Sequence, residues 1–170
     1  ACARRDDRWS GWEIGAPIGA VWGNPIKQAN LKDRLRSWLL EPVIYLDTMN
    51  INDSAVEMFS KEWKRVKPTL IFGNEHSIFM LAEYVRMLGI RTIRPRGVIS
   101  SSMMLLPHER QVIEDVFETM VTDLYGCEEV SLIASECEIH QGMHLNVEHL
   151  VIEFIKDDGT LAKPGEMGRI

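Results

Sequence analysis

The sequence predicts an α/β fold in which helices flank a parallel sheet, followed by a small antiparallel β portion. Between Val43 and Leu124, short apolar runs alternate with segments of helical periodicity, a pattern typical of parallel sheets with helices packed on them. After Tyr125, short apolar runs follow one another with only turns between them, which is typical of antiparallel strands. We therefore expect an α/β part over residues 1–130 and a β part of the same domain over 131–170.

The predicted elements follow from local signals in chain order. The first strand should end at Trp22-Gly23, and Asn24-Pro25 should start a helix, because proline is tolerated in a first turn. After a strand at 43–46, Asn52-Asp53-Ser54 is a cap signal for the next helix, and Glu57 lies three residues beyond Ser54 as in a capping box. The buried stripe of that helix is expected to contain Val56, Phe59, Trp63 and Val66. The further expected elements are strands at 69–73, 92–100 and 121–124, helices at 77–88 and from Pro107, short strands at 132–134, 143–147 and 150–155, and a turn at 157–159.

Composition excludes several classes of protein. The 170 residues suit one domain, and the net charge of −6 with only short basic runs, such as 61–67, argues against nucleic acid as the main ligand. No apolar stretch approaches the roughly 18 residues of a membrane span, so we expect no membrane insertion. The three cysteines are too few for a disulfide scaffold, which favours a reducing, cytoplasmic compartment. Oligomeric state leaves no signal in this sequence.

Three segments follow predicted parallel strands, at 73–76, 100–102 and 125–129. Ligands bind beyond the carboxyl ends of such strands. In the third segment, the ring of Tyr125 can stack on a base and Gly126 lets a ligand approach the backbone. The adjacent acids suit magnesium, which takes one or two carboxylates together with phosphate oxygens. Spacing alone leaves a second interpretation open, in which this segment is a polar turn after a strand.

The run Tyr-Gly-Cys-Glu-Glu at 125–129 resembles the Tyr-Gly-x-(Ser/Thr)-Glu motif of the acyl-adenylate-forming superfamily. Other stretches resemble phenylacetate–CoA ligases in order and spacing, and above all their coenzyme F390 synthetase-like and capsular polysaccharide biosynthesis relatives. The most specific of these stretches are Ile-Ala-Ser-Glu-Cys at 133–137, Gly-Met-His at 142–144 and Pro-Gly-Glu-Met-Gly at 164–168. The resemblance covers nearly the whole chain.

The resemblance implies a two-step reaction. A carboxylate attacks the α-phosphate of ATP to give acyl-AMP and pyrophosphate, and the thiol of coenzyme A then displaces AMP. Tyr125 would stack near the adenine, and Glu129 would be the catalytic residue that binds Mg²⁺ at the phosphates. The implied nucleotide-binding residues, with the loop that lines the adenine or acyl pocket, are Tyr125, Gly126, Cys127, Glu128, Ser101, Ser102 and Met103. The resemblance implies two partners, a nucleotide and a small carboxylic acid. The likeness to phenylacetate–CoA ligases implies that this acid is an aryl acid.

The sequence also departs from the superfamily pattern. Glu128 stands where a hydroxyl is usual, and a carboxylate there repels phosphate unless a cation intervenes. The phosphate loop, the ribose-binding aspartate and the catalytic lysine of the superfamily have no counterpart in the chain. The chain begins with Ala1 and ends at Gly168-Arg169-Ile170, so we expect an internal piece of a longer enzyme that is inactive alone. The alternatives are adenylyl transfer to an acceptor other than coenzyme A, and a non-catalytic module that binds a nucleotide or a partner.

A second possible site combines sulfur and nitrogen ligands. Cys127, Cys137, His140 and His144 lie within 18 positions, and zinc favours tetrahedral cysteine and histidine sites. The sequence has no Cys-x2-Cys knuckle, and cysteine is commonly a small buried hydrophobe. A structural zinc and ordinary packing are therefore both open interpretations.

Overall fold

The computed structural model describes residues 2–23 and 42–170. The helix predicted from Asn24 lies outside the described residues. In chain order, the described elements are α1 (Cys2–Trp9), β1 (Ile18–Trp22), β2 (Val43–Asp47), a 3-10 turn (Thr48–Asn50), α2 (Asp53–Val66), β3 (Leu70–Gly73), α3 (Glu75–Met87), β4 (Gly97–Ser101), α4 (Pro107–Phe117), β5 (Val121–Cys127), β6 (Ser131–Glu136) and β7 (Met143–Leu145).

Seven strands of the described chain form one sheet in the order β2-β1-β3-β4-β5-β6-β7. The pairings from β2 through β5 are parallel, and those of β5 with β6 and of β6 with β7 are antiparallel. The predicted fold class, a helix-flanked parallel sheet followed by antiparallel β structure, is therefore confirmed. The sheet continues across residue 130, and the division of the domain at that point stays a prediction.

The helices pack an apolar core against the sheet. Along α2, Val56, Phe59 and Trp63 are buried as the helical spacing predicts, and Val66 is half-buried. The Trp63 ring lies against β1, where a Cβ added to Gly19 would approach it to 2.5 Å. Glycine at this position therefore lets the helix sit close to the sheet.

The structure defines the start of two helices. Helix α2 begins after Asn52, whose side chain accepts a hydrogen bond from the Ala55 N–H at 3.0 Å. The predicted cap signal at Asn52-Asp53-Ser54 is therefore confirmed, whereas the Ser54–Glu57 capping box is wrong. Helix α3 begins at Glu75 rather than at residue 77, because Asn74 accepts from the Ser77 N–H at 2.8 Å. Two asparagines cap these helices, and the second brings Glu75 into a first helical turn.

Several predicted β segments are shorter than expected. The strand expected at 92–100 is confined to Gly97–Ser101, where a Cβ on Gly97 would lie 1.9 Å from the Ser10 carbonyl oxygen. The segment at 150–155 is not a strand, although Ile155 forms isolated bridges around the turn predicted at 157–159. Helix α1 has no counterpart among the sequence predictions. None of the helices within the described ranges is long and apolar enough to cross a membrane.

Candidate functional site

Two neighbouring cavities open beside the carboxyl ends of β4 and β5. We call the larger one, of about 540 Å³, the serine-lined cavity, and the other, of about 390 Å³, the methionine-lined cavity. The serine-lined cavity is bordered by Ser101, Ser102, Gly126, Cys127, Glu128, Ser131 and Leu132. The methionine-lined cavity is bordered by Ser102, Met103, Met104, Asp123, Leu124, Tyr125, Gly126 and Met143. Ser102 and Gly126 belong to both linings, so the two cavities meet at this pair.

The loop after β4 supplies one wall of each cavity. Ser102 has a φ of +92°, a left-handed conformation that is uncommon for a residue with a side chain. The following N–H, that of Met103, donates to Glu75 Oε2 at 2.9 Å. The buried glutamate of α3 is thus hydrogen-bonded to the loop that borders both cavities.

The other wall is the hairpin of β5 and β6. The strand predicted to end at Leu124 continues to Cys127, so the strand boundary inferred from the sequence is wrong. Tyr125 and Gly126 lie where β5 pairs with β6, and the register shifts between them. A Cβ on Gly126 would lie 2.6 Å from the Ser131 carbonyl oxygen, so glycine allows the close return of the chain.

The residues of the 125–129 motif take different positions around the cavities. Tyr125 is 45% exposed and borders the methionine-lined cavity, while Glu128 borders the serine-lined one. Glu129 is fully exposed and lines neither cavity. Its own backbone N–H and the Cys127 side chain hold the pKa of Glu129 below its usual range. Of the two acids, Glu128 therefore borders a cavity and Glu129 does not.

Asp123 is a cavity residue that the sequence reasoning missed. It is half-buried in β5, and the Ser100 hydroxyl donates to its Oδ1 at 3.3 Å. Burial raises the pKa of Asp123, and the nearby negative charge of Glu136 raises it further, against the opposing effects of Ser100 and Arg110. A signal was present in the sequence, since a charged residue interrupts the apolar strand 121–124.

An ion pair joins α4 to the β5–β6 pair. Arg110 Nη2 donates to both carboxylate oxygens of Glu136 at 2.9 Å, and its Nη1 donates to the Val121 carbonyl at 2.7 Å. Glu136 also accepts from the Asp123 N–H at 3.0 Å. Burial raises the pKa of Glu136, but the Asp123 N–H and the Arg110 guanidinium outweigh it and leave this pKa below its usual range.

The four predicted zinc ligands do not converge. Cys127 is exposed at the serine-lined cavity and Cys137 is half-buried. The His140 Nδ1 lies 3.3 Å from Glu136 Oε2, while the His144 ring packs on Trp9 with 5.2 Å between centroids. Across residues 2–23 and 42–170, no three histidine, cysteine, aspartate or glutamate side chains are placed to hold one metal ion. The zinc hypothesis therefore gains no support from the structure.

Comparisons with known proteins agree on the fold. No protein-family profile matches the sequence, and no curated protein matches it. The structure of 2-hydroxyisobutyryl-CoA ligase with 2-HIB-AMP and CoA, in the thioesterification state, is similar with a TM-score of 0.67 and 15% identity over 93% of this chain. Amide bond synthetase McbA from Marinactinospora thermotolerans gives a TM-score of 0.63 and 15% identity over 97% of this chain.

A malonyl-CoA ligase complex with methylmalonyl-CoA and AMP bound is also similar, with a TM-score of 0.51 and 18% identity over 78% of this chain. The chain covers 34%, 34% and 28% of these three proteins. It therefore spans about a third of their length. The identities are low and the structural agreement extends over most of the chain, so the common feature is the fold. Over most of its length the chain shares its α/β fold with one part of each of these two CoA ligases and of the amide bond synthetase.

Proposed function

We propose that this chain is the nucleotide-facing part of an ATP-dependent, AMP-forming ligase that activates an aryl carboxylate as acyl-AMP and passes it to coenzyme A. One observation carries the proposal. The loop at Ser102 and the strand at Tyr125-Gly126 form two adjoining cavities at the carboxyl edge of a parallel sheet, in a fold shared with such ligases. Ligands of open α/β sheets bind at this edge.

The two cavities suit different parts of the reactants. The methionine-lined cavity offers the Tyr125 ring and three methionines, Met103, Met104 and Met143, to a flat apolar group such as adenine or an aryl ring. The serine-lined cavity offers hydroxyls and the open backbone at Gly126 to more polar groups. In the proposed reaction, the acid's carboxylate oxygen bonds to the α-phosphorus as pyrophosphate leaves. The coenzyme A thiol then gives up its proton to solvent, and its sulfur bonds to the acyl carbon as AMP leaves. The task proposed for the chain is to hold the reactants in line.

Magnesium is part of the proposal because charge builds on the phosphates during the first step. Magnesium at nucleotide sites takes one or two carboxylates, with phosphates and water supplying the rest. Glu128 fits this requirement as the carboxylate at the serine-lined cavity, and the catalytic role proposed for Glu129 requires its exposed side chain to turn inward. When bound, the metal would neutralise phosphate charge. The same cation would remove the repulsion between Glu128 and a phosphate.

Tyr125→Ala tests the proposed base-stacking role. We expect the dissociation constant for AMP to rise about tenfold, since stacking of a base on an aromatic ring contributes on the order of 1–3 kcal/mol. Tyr45→Ala is the matched control, because Tyr45 is 43% exposed, close to the 45% of Tyr125, and lies on β2 at the far edge of the sheet. Both dissociation constants are measured by NMR titration of the chain. Equal affinities in the two variants, or no AMP binding by the unmodified chain, would remove the nucleotide assignment.

A second prediction concerns the complete reaction. The chain spans about a third of the ligases that share its fold, and the superfamily's phosphate loop, ribose-binding aspartate and catalytic lysine have no counterpart in it. We expect the purified 170-residue chain to show no ATP–pyrophosphate exchange above background with a panel of aryl acids. Addition of the remaining portion of the proposed enzyme should restore exchange. Robust exchange by the chain alone would contradict the proposal that it is inactive.

One observation favours a different acceptor from coenzyme A. The serine-lined cavity carries the Glu128 carboxylate, and no lysine or arginine is among its described lining residues. This charge suits an amine better than the phosphate-rich coenzyme A, and one of the similar structures is an amide bond synthetase. Mass spectrometry of products formed by the complete enzyme, with coenzyme A and amines in competition, distinguishes thioester from amide formation. The same assay detects adenylyl transfer to another acceptor.

A further inference from the structure

Glu75 is a buried glutamate with an unusual set of contacts. It is fully buried at the first position of α3, beside the carboxyl end of β3. Its Oε2 accepts a hydrogen bond from the Met103 N–H at 2.9 Å, and its buried Oε1 has no hydrogen-bond partner within the described part of the chain. A buried polar atom without a partner is costly, so an apolar residue here would be expected to favour folding.

The electrostatic surroundings of Glu75 add to this cost. The carboxylates of Asp123 and Glu109 are its charged neighbours, and both disfavour a further negative charge. Burial raises the pKa of Glu75, and these two neighbours raise it further, although the backbone N–H groups of Glu75 and Met103 oppose the shift. Oε2 can accept the Met103 N–H whether the carboxyl group is ionised or protonated. The contact with the loop is therefore available in either state.

The loop that Glu75 contacts borders both cavities. Ser102 borders the two cavities in a left-handed conformation, and Met103 borders the methionine-lined one. Such a conformation persists when surrounding contacts fix the backbone on either side. The hydrogen bond at Met103 is one such contact, directly next to the strained residue, and it comes from an element outside the loop.

We propose that Glu75 is a positioning residue, whose hydrogen bond to the Met103 N–H holds the Ser102–Met103 loop in the conformation that shapes the two cavities. The competing explanation is that Glu75 only stabilises the first turn of α3, where a negative charge is favourable. The two explanations differ in which amides they protect. If Glu75 positions the loop, it protects the Met103 amide from hydrogen exchange. If it only stabilises the helix, it protects the amides of α3.

Hydrogen exchange followed by NMR tests the proposal on the chain without any ligand. In the unmodified chain we expect the Met103 amide to exchange at least about tenfold more slowly than an unstructured amide. In Glu75→Leu this protection should be lost, while the sheet amides of Ile71 and Ile99 keep theirs. Glu75→Gln should retain protection at Met103, because its carbonyl oxygen still accepts. The matched control is Ser77→Ala, which alters another buried polar residue of the same turn and should leave Met103 unchanged.

Two results would overturn the positioning role. One is an unprotected Met103 amide in the unmodified chain, which requires no variant to fold. The other is a Glu75→Leu variant that keeps Met103 protection, or that loses protection at Met103 and across the sheet alike. A consequence for AMP affinity rests on the proposed function: Glu75→Leu should weaken binding severalfold and Glu75→Gln should not. Failure of the unmodified chain to bind AMP would count against the proposed function, while the exchange result at Met103 would stand by itself.

Discussion

Replacing Arg110 with methionine is expected to lower the free energy of unfolding by about 3 kcal/mol, the lower end of the range for a broken buried ion pair. The lower end applies because the Arg110 side chain is 26% exposed and its pair with Glu136 is only partly buried. Methionine keeps most of the apolar stem of arginine but none of its hydrogen bonds to Glu136 and the Val121 carbonyl. Glu136 is then left as a poorly compensated charge beside Asp123. Urea unfolding followed by circular dichroism measures the change.

The origin of this loss is tested with Glu136→Gln. The glutamine oxygen still accepts the Asp123 N–H, but it carries no charge that needs the arginine. We expect the Arg110→Met and Glu136→Gln double variant to be more stable than Arg110→Met alone. If the double variant loses as much free energy of unfolding as the two single variants lose together, the charges of Arg110 and Glu136 do not interact.

Trp63→Ala is expected to destabilise the chain by about 3–5 kcal/mol, the usual cost of removing a large buried aromatic ring. The Trp63 ring is 3% exposed, packs against Phe59, and covers Gly19 of β1, so its removal leaves a cavity between α2 and the sheet. The midpoint of urea unfolding should fall accordingly, with little change in slope.

Met58→Ala serves as the control for Trp63→Ala. Met58 lies on the same helix and is 61% exposed, so its truncation should change the free energy of unfolding by no more than about 0.5 kcal/mol. Similar losses in the two variants would mean that α2 does not pack on the sheet as described.

The sequence predicted the sheet because its signals are local. The buried stripe of α2 repeats at helical spacing, and the apolar runs of β3 and β4 lie between helical segments. The boundaries were less accurate where two signals competed. Within the predicted cap signal at 52–54, the spacing of Ser54 and Glu57 suggested a capping box, but Asn52 caps the helix. The hydrophobic pattern also predicted too long a strand at 92–100, because the pairing with β3 begins only at Gly97.

The site was harder to predict because it depends on contacts between distant parts of the chain. The tyrosine and the serine loop were identified from the motif and from their positions after strands. Glu75 and Met103 are 28 residues apart, and Arg110 and Glu136 are 26 apart, so neither pair leaves a periodic signal. The sequence spacing grouped Cys137 and His140 as possible zinc ligands, but in the structure the His140 ring lies beside the Glu136 carboxylate instead.

The register shift between Tyr125 and Gly126 affects where the β5–β6 hairpin can change in length without turning the tyrosine ring. Side chains alternate between the two faces of a strand, so an insertion of one residue between Val121 and Tyr125 would turn the tyrosine ring away from its cavity. The turn at 128–130 lies beyond the register shift, outside the ladder that orients the ring. Insertions or deletions in this turn do not change the face of β5 to which each side chain points. The turn is therefore the point on this wall where a reporter peptide can be inserted without reorienting Tyr125.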